Sequence, residues 1–259
     1  TVPLDVCLLL EPGLRSVFDS LGDLTGVERL TLRSGVRTGR RLAVVAGSVP
    51  DSAPGWGCDV ATVEDDAVVA VIGSTDLSEI VADREFDIPP MGFFQNNTRG
   101  ADVLVDLARA AAEVRPDETL LDAYGGVGLF GATVGGDADH VLGIDADEDA
   151  IRFARRNLTR AGVDHTYLAG SVIDDIEALD AYWDVAIVDP PRKGLGARGV
   201  DAITSAMPRR VVYVSCDPAS LARDARHLVE SGYRFVEATP VDLFPQTYHV
   251  ETVATFDRD

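Results

Sequence analysis

Residues 119–131 read TLLDAYGGVGLFG, and the fold turns on how that stretch is parsed. An apolar run of β character, TLLDAY, gives way within four residues to three glycines and then to another apolar segment. Strand, glycine turn and helix start follow in that order, because glycine lets the backbone turn sharply and come close to a ligand. Upstream, GADVLVDLARAAAEV has the 3.6-residue spacing of a helix. Downstream, HVLGIDA, EDAIRFARRNLTRAG, HTYLAG, DVAIVDPP, a short helix, RRVVYVSC, ASLARDARHLVESG, YRFVEATP and HVETVATF alternate strand with helix. Near-continuous apolar strands of this kind predict a parallel sheet covered on both faces, an α/β fold. Ligands of such sheets bind outside the carboxyl ends of the strands. Asp122, Asp145, Asp189 and Cys216 stand at those ends, and an apolar core would select none of them.

Before about residue 98 the pattern differs. RLTLRSG, RRLAVVAG and CDVATVEDDAVVAVIGS are short and β-rich, with Glu64, Asp65 and Asp66 in a hairpin turn. DIPPMGFFQNNTRG, with Pro89 and Pro90, is a connector. We therefore expect a smaller α+β domain over residues 1–90 and a larger one over 91–259.

The chain has 259 residues, is 46% hydrophobic and carries a formal net charge of −20. Its acids are spread through periodic segments, as on a folded, carboxylate-rich surface. Lys193 is the single lysine. Arginine is less strongly hydrated than lysine and pairs bidentately, which favours adaptation to a high-salt cytoplasm, where the Debye length is roughly 3 Å at 1 M. Arg33, Arg37, Arg40 and Arg41 cluster near the start, and Arg152, Arg155, Arg156 and Arg160 lie at helical spacing. Both groups read first as solvated, ion-paired faces and second as phosphate contacts. Cys7, Cys58 and Cys216 are too few for a disulfide framework or a zinc site, so a cytoplasmic location is expected. No run is long enough to span a bilayer.

Within the turn, Tyr124, Gly125, Gly126 and Gly128 fit a dinucleotide site or a methyltransferase. Asp145, about twenty residues on, is placed to accept from ribose hydroxyls, or else to cap the next helix, a task Asp147 can also perform. The last glycine of the dinucleotide spacing is missing, which favours S-adenosylmethionine, a cofactor without phosphates. The prolines after Asp189 stiffen its strand end. Cys216 precedes a helix whose dipole stabilises a thiolate, while Asp217 opposes that. Glu251 reads alone as an exposed edge-strand carboxylate, and His249 as a satisfied structural imidazole.

Taken together and in order, FFQNN, LLDAYGGVGLFG, VDPPRKGL, YVSCDPASLARD and DLFPQTYHVETV resemble the S-adenosylmethionine-dependent RNA uracil-5-methyltransferases, which make 5-methyluridine in ribosomal or transfer RNA. The resemblance is strongest from about residue 92 onward. It implies a Rossmann-like class I methyltransferase domain with a mostly parallel seven-stranded sheet, preceded by the family's smaller central domain. It also implies Cys216 as nucleophile toward carbon 6 of the uracil and Glu251 as the base that removes the carbon-5 proton. Gln95, Tyr124, Gly126, Gly128, Asp145 and Asp189 fall at cofactor-binding positions, with Asp189 facing the uracil as well. Gly125 stands where the family has a cysteine. The family's N-terminal RNA-binding barrel and cysteine cluster have no counterpart in this sequence, so no iron–sulfur cluster or other metal is expected. The reading is a haloarchaeal chain lacking that domain, either because the lineage lacks it or because the chain is a fragment, with RNA (rRNA or tRNA) as its partner, no membrane and an oligomeric state left open. A small-molecule methyltransferase or dehydrogenase, or a non-catalytic RNA-binding remnant, is the alternative.

Overall fold

The computed structural model describes residues 10–65, 67–179 and 181–258. Cys7 and Asp66 lie outside them. Two compact units result, one of residues 1–80 and 87–92 and the other of 81–86 and 93–259.

In the first unit, α1 (Pro12–Ser20) is followed by β1 (Val27–Ser34), β2 (Arg41–Gly47), β3 (Asp59–Glu64) and β4 (Ala67–Ile72), which form one sheet in that order. β3 and β4 pair antiparallel from Glu64 and Ala67 onward, the expected hairpin. Leu14, Val17 and Leu21 pack against Ala43, Val45, Val60 and Trp56, whose indole N–H donates to the Leu21 carbonyl at 3.0 Å. Arg33 is not a solvated cation. It donates to the carbonyls of Pro89, Pro90 and Gly92, three bonds of 2.7–2.9 Å that hold the Pro-Pro connector. β5 (Leu77–Val81) and β6 (Arg84–Ile88) form a separate two-stranded sheet.

The second unit contains α2 (Thr98–Ala112), β7 (Thr119–Ala123), α3 (Leu129–Thr133), β8 (His140–Asp145), α4 (Glu148–Ala161), β9 (His165–Ala169) and α5 (Val172–Ala178). It continues through β10 (Val185–Val188), α6 (Gly196–Thr204), β11 (Arg210–Ser215), α7 (Pro218–Glu230), β12 (Tyr233–Val241) and β13 (Glu251–Arg258). The sheet runs β12-β13-β11-β10-β7-β8-β9. Neighbours are parallel except at β13, which is antiparallel to both β11 and β12. This is the class I methyltransferase fold.

Leu120, Leu121, Val185, Ala186, Ile187, Val188 and Val211 through Val214 are fully buried, which explains why their strands carry no alternation. Burial of each large aliphatic side chain contributes about 1.5–3 kcal/mol. Local signals set the helix ends. Asn97 caps α2 by accepting from the Gly100 N–H at 3.0 Å. Asp147 caps α4, with acids in its first turn, Arg160 in its last and Gly162 closing it at φ 71°. Chain order reverses on either side of β7, whose neighbours are β10 and β8, so the crevice of this fold opens at their carboxyl ends. No helix among the described residues is long and apolar enough to cross a membrane.

Candidate active site

The glycine turn is held by its backbone. The N–H groups of Tyr124 and Gly125 both donate to the Ile144 carbonyl, at 2.9 and 3.2 Å, tying the end of β7 to β8. Tyr124 lies at φ 62°, a left-handed conformation that costs a non-glycine residue about 1–3 kcal/mol. Gly126 (φ 52°) and Gly128 (φ 83°) serve different ends. A Cβ at Gly126 would meet nothing within 4 Å, so its backbone fronts open space. A Cβ at Gly128 would come to 2.5 Å from Leu158, so this glycine lets the turn pack on α4.

Asp145 is not the helix cap. Asp147 takes that role, accepting from Asp149 and Ala150. Asp145 spends one oxygen on the Gly126 N–H and the other on the Asp147 N–H, both at 2.9 Å. Each oxygen keeps a lone pair for a ligand hydroxyl. Asp122 is 1% exposed, and its Oδ2 accepts from the Gly131 N–H at 2.9 Å and the Tyr167 hydroxyl at 2.5 Å. Its Oδ1 is buried and has no partner among the described residues. Burial, with the charge of Asp145 adding to it, pushes the Asp122 carboxyl up to about 6. A buried carboxylate with a spare oxygen, beside a second acid and an open glycine backbone, fits a cationic ligand with hydroxyls better than one with phosphates.

The remaining groups come from three adjacent strands. Val188 is in register with Tyr213, and Asp189 follows it. Ser215 pairs with Thr252, so Cys216 and Glu251 come next on β11 and β13 at the same end of the sheet. Glu251 is 7% exposed and lies in an interior strand, which overturns its reading as an exposed edge residue. Burial raises its carboxyl, and Arg192 works against that. Asp189 is pushed up to about 8, first by burial and then by the charges of Glu251, Asp122 and Asp145. The Cys216 thiol is also pushed up, by burial and by Glu251 and Asp189, with Arg192 again opposing. Asp217, the expected antagonist of the thiolate, instead caps α7 by accepting from the Ser220 N–H at 2.7 Å. The charge of Asp145 thus bears on Asp122 and Asp189, and those of Glu251 and Asp189 bear on the thiol.

Gln95 sits half-buried in the loop before α2 and makes no side-chain hydrogen bond among the described residues. Its neighbour Asn97 donates to the Leu243 carbonyl at 3.1 Å, linking that loop to the one that leads into β13. His249 is half-buried and has a partner at Nε2, in keeping with the structural imidazole expected of it. It stacks on Tyr248, and the Arg192 guanidinium lies 3.4 Å from its Nε2.

Three residues escaped the sequence reading. Tyr167 pins Asp122, and Arg192 sets the local field. Asp224, fully buried on α7, accepts from the Leu195 and Gly196 N–H groups (2.7 and 3.1 Å), the Tyr213 hydroxyl (2.8 Å) and Arg223 (3.0 Å). It thereby fixes the loop that carries Arg192. The arginines at helical spacing on α4 divide: Arg152 pairs with Asp149 at 3.0 Å, as expected of a solvated face, whereas Arg155 and Arg160 donate to the carbonyls of Tyr167 and Glu85.

Comparison with known proteins bears on this crevice. Residues 171–258 match the family described as tRNA (Uracil-5-)-methyltransferase, and residues 95–208 match the methyltransferase small domain. An uncharacterized RNA methyltransferase of Gloeobacter violaceus is 42% identical over 189 residues, 72% of this chain and 40% of that protein. One from Porphyromonas gingivalis is 39% identical over 204 residues, 76% of this chain and 44% of its own length. The chain thus spans about two fifths of these curated relatives. Among solved structures, the Pyrococcus abyssi tRNA (uracil-54, C5)-methyltransferase in complex with S-adenosyl-L-homocysteine superposes with a TM-score of 0.73. It is 32% identical, covering 88% of this chain and 59% of that one.

Proposed function

The chain is a homologue of RNA methyltransferases, and its residues 171–258 match the tRNA (uracil-5-)-methyltransferase family; from that premise we propose that it methylates carbon 5 of a uridine in tRNA or rRNA through a covalent bond between Cys216 and carbon 6. The observation that carries the proposal is the convergence of Cys216, Glu251 and Asp189 on one end of three adjacent strands, where the charges of Glu251 and Asp189 raise the thiol. A lone thiol beside the buried Glu251 and the half-buried Asp189 has little structural use but suits covalent catalysis.

S-adenosylmethionine supplies a methyl group activated by its sulfonium. Asp122, Asp145, Tyr124 and the open backbone at Gly126 would hold it, with Gln95 and Asp189 completing the pocket and Gly128 shaping the turn through its packing on α4. Carbon 5 of uracil is too weak a nucleophile to take that methyl group unaided. The Cys216 thiol loses its proton to solvent at the partly exposed mouth, and Sγ bonds to carbon 6. The electron pair of the 5,6 double bond then moves toward the carbon-4 oxygen. Asp189, protonated at neutral pH with its carboxyl at about 8, donates a hydrogen bond to that oxygen. Carbon 5 takes the methyl group as the methyl–sulfur bond breaks and the neutral thioether S-adenosylhomocysteine leaves, and Glu251 then removes the carbon-5 proton. The sulfur–carbon bond then breaks, the double bond re-forms, and the thiolate is released. The same reading takes the net charge of −20 as adaptation to concentrated salt.

The test is to incubate the protein with S-adenosylmethionine and 5-fluorouridine-substituted tRNA or rRNA fragments in concentrated KCl. Fluorine at carbon 5 blocks the final abstraction. A denaturation-resistant adduct of protein, RNA and methyl group is expected, and none with Cys216→Ala. An equal adduct from Cys216→Ala, or methylation at another atom, would overturn the proposal.

A further inference from the structure

Tyr248 is 85% exposed, although it lies three residues before the buried Glu251. One face of its ring is stacked on His249, with centroids 4.2 Å apart and the planes 39° from parallel. Phe244 meets His249 edge-on at 6.2 Å. His249 Nε2 in turn accepts from Arg192, 3.4 Å away, and Arg192 is the cation whose charge is felt by Cys216, Asp217 and Glu251. The Tyr248 ring is therefore braced from behind by His249, which is held in turn by Arg192, whose charge reaches Cys216 and Glu251, while the residue is otherwise open to solvent.

We propose that Tyr248 is a stacking platform for the base next to the target uridine in single-stranded RNA. This rests on the methyl-transfer reading, which requires the uridine to leave its stack. Flipping one nucleotide out strips its neighbour of a stacking partner, and an open aromatic face at the rim of the crevice replaces it. Charge favours the same occupant. Arg192 is exposed beside His249, and Lys193, the single lysine of the chain, is exposed next to it in sequence, local cations able to meet a phosphate on a protein of net charge −20. Phosphate contacts weaken as salt rises because they work through released counterions, whereas stacking releases none. An acidic RNA-binding protein thus gains most from an aromatic contact.

The probe is a short oligoribonucleotide with one uridine and 2-aminopurine immediately 5′ or 3′ of it. Stacking on Tyr248 should quench the fluorescence of one of the two. Tyr248→Ala should abolish that quench and raise the Kd for the probe about 5- to 150-fold, the range of one base–aromatic stack. Tyr248→Phe should restore both, and the Kd for S-adenosylmethionine should stay constant across the series, which separates a lost platform from a misfolded loop. Probe binding by Tyr248→Ala equal to that of the unaltered chain, or no quench at either position, overturns the inference. A fluorouridine adduct would still form in that case if the methyl-transfer reading is right. Conversely, Tyr248-dependent quenching without any adduct keeps the platform and removes the methyl transfer.

Discussion

Asp122→Asn should make the second unit more stable relative to the native chain as pH rises. The Asp122 carboxyl lies at about 6 in the folded chain against 3.8 ordinarily, so the folded state holds a proton that the unfolded state gives up. Its contribution is fully present below 3.8 and is lost as pH rises through about 6. The whole gap corresponds to about 3 kcal/mol, of which about 1.4 kcal/mol falls between pH 5 and 8. Asparagine keeps one oxygen for the Gly131 N–H and the Tyr167 hydroxyl and puts an amide where Oδ1 has no partner. That amide adds a pH-independent penalty of about 1–3 kcal/mol. The sign of the difference at any one pH is therefore open, but its slope is not. Removing the Asp122 charge also lowers the Asp189 carboxyl, which works in the same direction. Urea unfolding followed by Trp183 fluorescence in a Trp56→Phe background reads the second unit alone, since the two tryptophans lie in different units. Between pH 5 and 8 the variant should gain about 1.4 kcal/mol on the native chain. A difference flat across that range would mean that Asp122 titrates as an ordinary carboxylate, and the argument from its burial would fail.

Glu251→Gln keeps the shape of the side chain and removes the base. With ordinary uridine RNA and S-adenosylmethionine, the methylated covalent intermediate should accumulate and appear as a shifted band on a denaturing gel. Normal turnover by this variant would take Glu251 out of the proton step. Asp224→Ala leaves the Leu195 and Gly196 N–H groups and the Tyr213 hydroxyl without their acceptor. Loss of a buried charge with its partners in place should cost about 3–5 kcal/mol in urea unfolding of the second unit. A loss below about 1 kcal/mol would mean that water replaces the carboxylate.

The central strands β7, β8, β10 and β11 can be read directly because burial on both faces leaves uninterrupted apolar runs, and the caps at Asn97 and Asp147 obey local rules. α5 was missed: VIDDIEA is short and acidic, and its helix rests on Val172 and Ile176 meeting a core assembled from distant strands. Glu251 misled because alternation along one strand cannot tell an interior position from an edge. That depends on β13 entering between β11 and β12, a matter of topology. Asp224 sits in SLARDARHL, where it looks like one more charge on a solvated helix. Its four donors come mostly from residues far away in sequence, and no local pattern announces them. Arg33 was misjudged for the same reason, since its three carbonyl partners lie more than fifty residues on.

β13 is synthesised after every other described element, yet it occupies an inner place in the sheet. Until it arrives, β11 and β12 cannot complete their ladders, and each offers an unpaired edge to other chains. A nascent chain that already displays Cys216 has no partner carboxylate for it, because Glu251 begins the strand still to come. Insertion of that strand closes the sheet and brings Glu251 beside Cys216 in one event. A chain released before residue 251 therefore leaves the edges of β11 and β12 open and Cys216 without Glu251, so folding and completion of the proposed pair are checked together.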